Sequence, residues 1–151
     1  MLYQTKYFGE VEADESEVFH FPSGLPGFEE EHSFLIIPFD GSDGTLFSLQ
    51  STVTPGLSFV VMDPYSLTAD YEPVLTDADL HPFDEARWDK LSYCVLCCVK
   101  EPVSESTVNL KCPIVIDLEA KIAHQVIMDS DKYGMRHLLT EFSNREGSSS
   151  C

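Results

Sequence analysis

Thr107 to Asp117 reads TVNLKCPIVID, and the reading of this stretch decides the fold class. Val108 and Leu110 alternate with Asn109 and Lys111, the period-two pattern of a half-buried strand. Pro113 has no N–H to give to a ladder, so it marks an edge, a bulge or a corner. The β-branched run Ile114–Val115–Ile116 suits a strand covered on both faces. Apolar runs lie on either side, Tyr93 to Val99 before and Ile122 to Met128 after. Together they predict a three-strand meander whose middle member is bent at Pro113.

Working outward, Thr5 to Val11 is expected to begin as a strand with Gly9 as a bend or bulge. Ala13 to Glu17 is an acidic turn and Val18 to Phe21 a short strand. Pro22 to Glu31 (PSGLPGFEEE) has the proline and glycine chemistry of a loop, with Leu25 and Phe28 expected to pin it to the core. Phe34 to Phe39 reads as a strand ended by Pro38. The turn Asp40 to Gly44 returns the chain as a hairpin partner, Thr45 to Ser51, with Leu46, Ser48 and Gln50 on one face and Phe47 and Leu49 on the other. Leu57 to Met62 is a further strand, stopped by Asp63-Pro64. Thr76 to Leu80 carries N-cap chemistry for a short helix. Pro82 to Leu91 suits a second, led by proline, with Phe83, Ala86 and Trp88 facing inward. Turns are expected at Lys100 to Glu105 and Glu119 to Lys121. The expected fold is mainly β: a single-domain antiparallel β-barrel or sandwich with one or two short helices. Residues 1–140 form the domain, and 141–151 (EFSNREGSSSC) a flexible tail.

The chain has 26 Asp and Glu against 9 Lys and Arg, a net charge of −17. Nucleic-acid affinity comes mainly from Lys and Arg neutralising phosphates, so direct binding to RNA or DNA is disfavoured. Anionic membrane surfaces are disfavoured for the same reason. A basic protein partner is favoured, because charge complementarity speeds encounter. No apolar run approaches a bilayer span, and MLYQTKYFGEVE lacks the features of a signal peptide, so a cytoplasmic location is expected.

Residue chemistry argues against an enzyme. Cys94 and Cys97 form a CxxC inside the apolar run YCVLCCV. On a strand they point to opposite faces and cannot chelate together. With Cys98, Cys112 and Cys151 they are expected to be reduced thiols, most of them small core residues. His20, His32, His81, His124 and His137 include no pair at i+2 to i+4, so no local metal chelate appears. There is no GxSxG, P-loop or GxGxxG. No catalytic residue, cofactor or metal site is expected.

Five segments carry a resemblance to a known family: TKYFGEVE (5–12), FPSGLPGFEEE (21–31), FVVMDP (59–64), TVNLKCPIVID (107–117) and AHQVIMDSDKYGMRHLL (123–139). In order and spacing they resemble the FliW family of bacterial flagellar assembly factors across nearly the whole chain. The family commonly has Glu where this chain has Ser23, Asn where it has Asp117, and Ser-x-Arg where it has Gly134-Met135-Arg136. The resemblance implies a compact β-barrel-type domain without enzymatic activity. It also implies two protein partners: the RNA-binding translational regulator CsrA, whose repression of flagellin mRNA such proteins antagonise, and flagellin, which competes for the antagonist. The alternatives are a flagellin-specific chaperone without a regulatory role and a thiol or zinc enzyme.

The candidate partner-binding residues are Glu29, Glu30, Glu31 and His32, Asp70, Tyr71 and Glu72, and Asn109 and Lys111. The first four follow the Pro/Gly loop as an exposed acidic apron, or else a solvated face, with one helical turn as a candidate shape. Tyr71 between two acids reads either as an interface anchor or as a cap on the barrel. Asn109 reads either as a contact or as the group that satisfies the backbone at the Pro113 bend. Lys111 is one of few cations and is free to meet a partner's carboxylate or an internal one. Gln50 and Gln125 are expected to bond neighbouring backbone.

Overall fold

In the computed structural model, which describes residues 1–41, 44–101, 103–129 and 132–143, the chain closes a seven-strand barrel. The strands in chain order are β1 (Leu2–Gln4), β2 (Glu10–Glu12), β3 (Phe19–His20), β4 (Ser33–Pro38), β5 (Leu46–Ser51), β6 (Ser58–Met62), β7 (Ser92–Cys98), β8 (Thr107–Val108), β9 (Ile114–Asp117), β10 (Ile122–Gln125) and β11 (His137–Leu138). Strands β3 to β7 pair in sequence, β10 joins β3 to β9, and β9 pairs back onto β7, which leaves the barrel wall without a free edge. All these pairings are antiparallel except the single β3–β10 bridge, His20 opposite Ile122. Closure decides between barrel and sandwich.

The bent segment behaves as expected. Its first half, β8, pairs with Cys97 and Cys98 of β7, and its second half, β9, pairs with Ser92 to Cys94 of the same strand. Residues 109–113 bridge the two halves, and β10 completes the meander on β9.

Cross-strand register puts Phe34, Leu49, Val61, Cys94, Ile114 and Ala123 inside the barrel, all buried in one cluster. The outward faces of the same strands are also covered. Met62, Val95 and Val115 pack under Tyr71, Phe83, Leu110 and Met128. Leu35 and Ile37 pack under Tyr3 and Ala13 of the N-terminal segment. The wall is thus buried on both sides over much of its area, which is why Ile114–Val115–Ile116 has no polar member.

Three local expectations change. Thr5 to Gly9 is the turn of a two-strand hairpin made by β1 and β2, not a strand. Gly9 at φ 65 allows the reversal, and the Thr5 N–H and hydroxyl both donate to its carbonyl. Pro82 does not lead a helix: a 3₁₀ helix at Glu85–Lys90 is capped by Asp84, Phe83 is buried, and Ala86 is exposed. Glu29 and Glu30 lie in a turn, with no helical residue from Glu29 to His32. The short helix α1 (Asp77–Leu80) has the expected Thr76 cap, in a capping box with Asp79. A second, α2 (Thr140–Ser143), runs from the last residue of the expected domain into the expected tail. The rest of that tail (144–151, including Cys151) and the tip of the 40–44 turn (Ser42, Asp43) lie outside the described residues.

Candidate interaction surface

The loop 22–31 stops one end of the barrel. Leu25 is buried, and Leu25 and Phe28 bridge each other through their backbones. Phe28 is 41% exposed but sets its ring edge-on against Phe59, 5.3 Å between centroids. Gly24 sits at φ 65 with backbone atoms of Phe28 and Glu29 only 2.7 Å from where a Cβ would be, so only glycine fits.

From this loop the acidic residues leave in different directions. Glu29 is exposed, and its carboxylate accepts from the Gly27 N–H at 3.1 Å, a bond that holds its pKa below the usual value. Glu30 is exposed. Glu31 turns inward: Oε1 accepts from the Ser51 hydroxyl at 2.6 Å and Oε2 from the Thr54 hydroxyl at 2.7 Å. Those two bonds hold its carboxyl below the ordinary range. Glu31 therefore clamps the 51–57 turn, and the expected apron is reduced to Glu29 and Glu30. His32 is half-buried, its Nδ1 2.8 Å from the Phe21 carbonyl and its ring stacked on His20.

The other two candidate groups meet each other. Tyr71 is buried, and its hydroxyl donates to the Leu110 carbonyl at 2.7 Å. It caps the outer cluster, and burial pushes its pKa up. That geometry leaves Tyr71 no exposed ring with which to anchor a partner. Asp70 accepts from the Thr68 hydroxyl. Glu72 is exposed, 3.5 Å from the Lys132 ammonium. Asn109 satisfies the bend: its Oδ1 accepts from the Lys111 and Cys112 N–H groups at 3.1 and 3.0 Å. It also lines a shallow apolar groove of about 400 Å³ with Tyr7, Val60, Leu96, Cys98 and Met135. Lys111 is half-buried, and its backbone ties the bend to Gly134 and Met128. No hydrogen bond, ion pair or ring contact among the described residues joins Glu29–His32 to either of these groups.

Two features escape a linear reading. Asp117, at the end of β9, is buried and accepts from Nε and Nη2 of Arg87 and from the N–H groups of Glu119 and Ala120. Arg87 and Asp117 are thirty positions apart, and no local pattern links them. The second feature is the unstoppered end of the barrel, where Asp63, Tyr65 and Leu118 line the mouth of a cavity. Gln50 and Gln125 do what strand amides do: Gln50 donates to the Ser51 and Pro55 carbonyls and accepts from the Lys6 N–H, and Gln125 donates to the Cys112 carbonyl.

Three of the described thiols, Cys94, Cys97 and Cys112, are poor nucleophiles. Burial pushes Cys94 up to about 12 and raises Cys97 and Cys112, away from the thiolate form. Cys94 and Cys97 indeed face opposite sides of β7, one inside the barrel and one toward the outer cluster. Among the described residues no three His, Cys, Asp or Glu side chains are placed to hold a metal ion. No helix among them is long and apolar enough to cross a membrane.

These features define a small acidic β-barrel with short helices, packed on both faces of its wall, whose distinctive chemistry lies at its surface. Residues 2–139 match the sequence profile of the family described as FliW protein. Relatives named flagellar assembly factor FliW include one from Geobacillus sp. (strain WCH70), 35% identical over 92% of this chain and 95% of its own length. Another, from Caldanaerobacter subterraneus subsp. tengcongensis, is 38% identical over 95% of this chain and 97% of its own. A crystal structure of the flagellar assembly factor FliW superposes with a TM-score of 0.83 at 31% identity, over 92% of this chain and 96% of that one. The chain belongs to the FliW family.

Proposed function

We propose that the protein is a flagellar assembly factor that acts by binding other proteins in the cytoplasm. It binds the RNA-binding translational regulator CsrA, relieves the repression of flagellin mRNA, and binds flagellin in a partner-switching loop. Free flagellin occupies the factor and releases CsrA; secretion of flagellin reverses this. The observation that carries the reading is membership of the FliW family across residues 2–139. The −17 charge supports it, because an RNA-binding partner presents a positive surface. An acidic protein docked beside that surface repels incoming phosphates over roughly the ~8 Å screening length at physiological salt. It does so without occupying the RNA site, and without binding nucleic acid or membrane itself.

The test is capture by the purified protein of purified CsrA and of purified flagellin, separately and in competition. Capture of both, with flagellin displacing CsrA, is the expected result. Flagellin capture alone would replace this reading with that of a flagellin chaperone, and capture of neither would end it.

A further inference from the structure

The barrel is stopped at one end by Leu25 and Phe28 and open at the other. At the open end the inward-facing Ile36, Phe47, Val61, Cys94 and Ile116 floor a cavity of about 580 Å³. That size falls within the roughly 300–1,000 Å³ range of ligand-binding pockets. Ile36 and Phe47 face the same way as the buried Phe34 and Leu49 but are themselves only partly buried. Tyr65 and Leu118 stand on the rim, 40% and 52% exposed.

Among the described residues one charged side chain lines the cavity, that of Asp63. Its Oδ1 accepts from the Tyr65 N–H at 2.9 Å, where it caps the 3₁₀ turn Pro64–Ser66. No basic side chain among the described residues forms an ion pair with it. An apolar well with a carboxylate at its mouth, on a chain of charge −17, is complementary to an apolar group joined to a cation. Apolar anchors set in such wells, with polar contacts at the rim, carry much of the energy of protein–protein interfaces.

We propose that the open mouth of the barrel is the docking pocket for an apolar side chain on a basic segment of the RNA-binding partner, with a neighbouring Lys or Arg of that segment meeting Asp63. The assignment rests on the proposed function for the partner's existence. It adds the site and the chemistry of the segment that enters it. A basic segment is what a protein that neutralises phosphates has to offer, and the field of this chain steers such a segment toward itself.

The test uses the full-length protein, methyl-labelled, titrated with purified CsrA. Methyl signals of Ile36, Val61 and Ile116 should shift on binding, while those of Val108 and Val126 in the outer cluster stay in place. Two rim variants accompany it. Asp63→Asn keeps an N-capping side chain and should weaken CsrA binding about tenfold. Leu118→Arg places a cation at the mouth, beside Asp63, and should weaken it by more than about thirtyfold. Capture of flagellin should be unchanged in both, and an unchanged melting temperature shows that the barrel is intact. Binding of CsrA with the pocket methyls unmoved, or at native strength by Leu118→Arg, would overturn the pocket and leave the proposed function standing. Loss of flagellin capture with CsrA binding intact would assign the mouth to the other partner and overturn the proposal as well. If the native protein captures no CsrA, the proposed function fails and the pocket's occupant fails with it.

Discussion

Arg87 grips Asp117 with a fork: Nη2 lies 3.1 Å from Oδ1 and Nε 3.3 Å from Oδ2. The pair ties the 3₁₀ helix Glu85–Lys90 to the end of β9, and Asp117 in turn holds the Glu119 and Ala120 N–H groups of the turn into β10. The Arg87 bonds, then the backbone bonds, hold the Asp117 carboxyl below its usual range. A depressed folded-state pKa means stability present above the unfolded value and lost as pH falls through the folded one. The protein should therefore lose stability from about pH 4 downward, where an unfolded Asp begins to take up its proton. Asp117→Ala should cost about 2–3 kcal/mol, the scale of losing charged hydrogen bonds at a buried site. Asp117→Asn keeps an acceptor for the turn, so it should cost less and flatten the acid limb. Urea denaturation at pH 7, 5 and 3.5 measures all three.

The role of Asn109 at the bend can be separated from any partner contact. Asn109→Ala leaves the Cys112 N–H without its acceptor and should cost about 1–2 kcal/mol. Asn109→Asp restores an acceptor oxygen and should return most of that. Thermal melts distinguish the two, with a shift of about 2–4 °C expected per kcal/mol in a chain of this size. If the Asn109→Ala and Asn109→Asp proteins melt alike, the bend does not depend on this side chain.

Thiol reactivity should follow burial along one strand. Cys98 is exposed, Cys97 is partly covered, and Cys94 is buried with its pKa pushed up to about 12. At pH 8 a disulfide reagent should modify Cys98 within the mixing period. It should reach Cys94 only on unfolding, because the thiolate is the attacking species. Mass spectrometry of digests after brief labelling gives the order, and rapid labelling of Cys94 in the native protein would contradict its place inside the barrel.

Glu31 and its two neighbours should separate cleanly. Glu31→Gln weakens the clamp on Ser51 and Thr54 and should lower stability by about 1 kcal/mol at neutral pH. Because the Glu31 pKa is depressed, that difference should shrink as pH falls below the ordinary carboxylate range. Glu29→Gln with Glu30→Gln should lower the melting temperature less than Glu31→Gln does, because Glu29 makes one exposed bond, to the Gly27 N–H, where Glu31 makes two. The double variant is thus the one to use in asking whether the exposed acids expel RNA from a bound CsrA. Undiminished RNA release by this variant at low salt would rule out repulsion from these two residues.

The chain alone determined whatever is local. Alternating apolar residues gave strands, Thr76 with Asp79 gave a capped turn of helix, and the Pro/Gly run 22–27 gave a loop that had to leave the sheet. It also determined the sign of the field, because net charge is a sum that folding does not change. Only the tertiary structure decided that the sheet closes, because the parallel β3–β10 bridge joins the meander to a strand far away in sequence that no local pattern links to it. Closure then sorted residues that look alike in sequence. Of three consecutive glutamates, Glu31 became a clamp while Glu29 and Glu30 stayed in water. Tyr71, between two acids, packed against the outer face of the wall and reached the Leu110 carbonyl. The open mouth beside Asp63 is of the same kind: its walls come from five strands, and the void exists only because those strands meet around it.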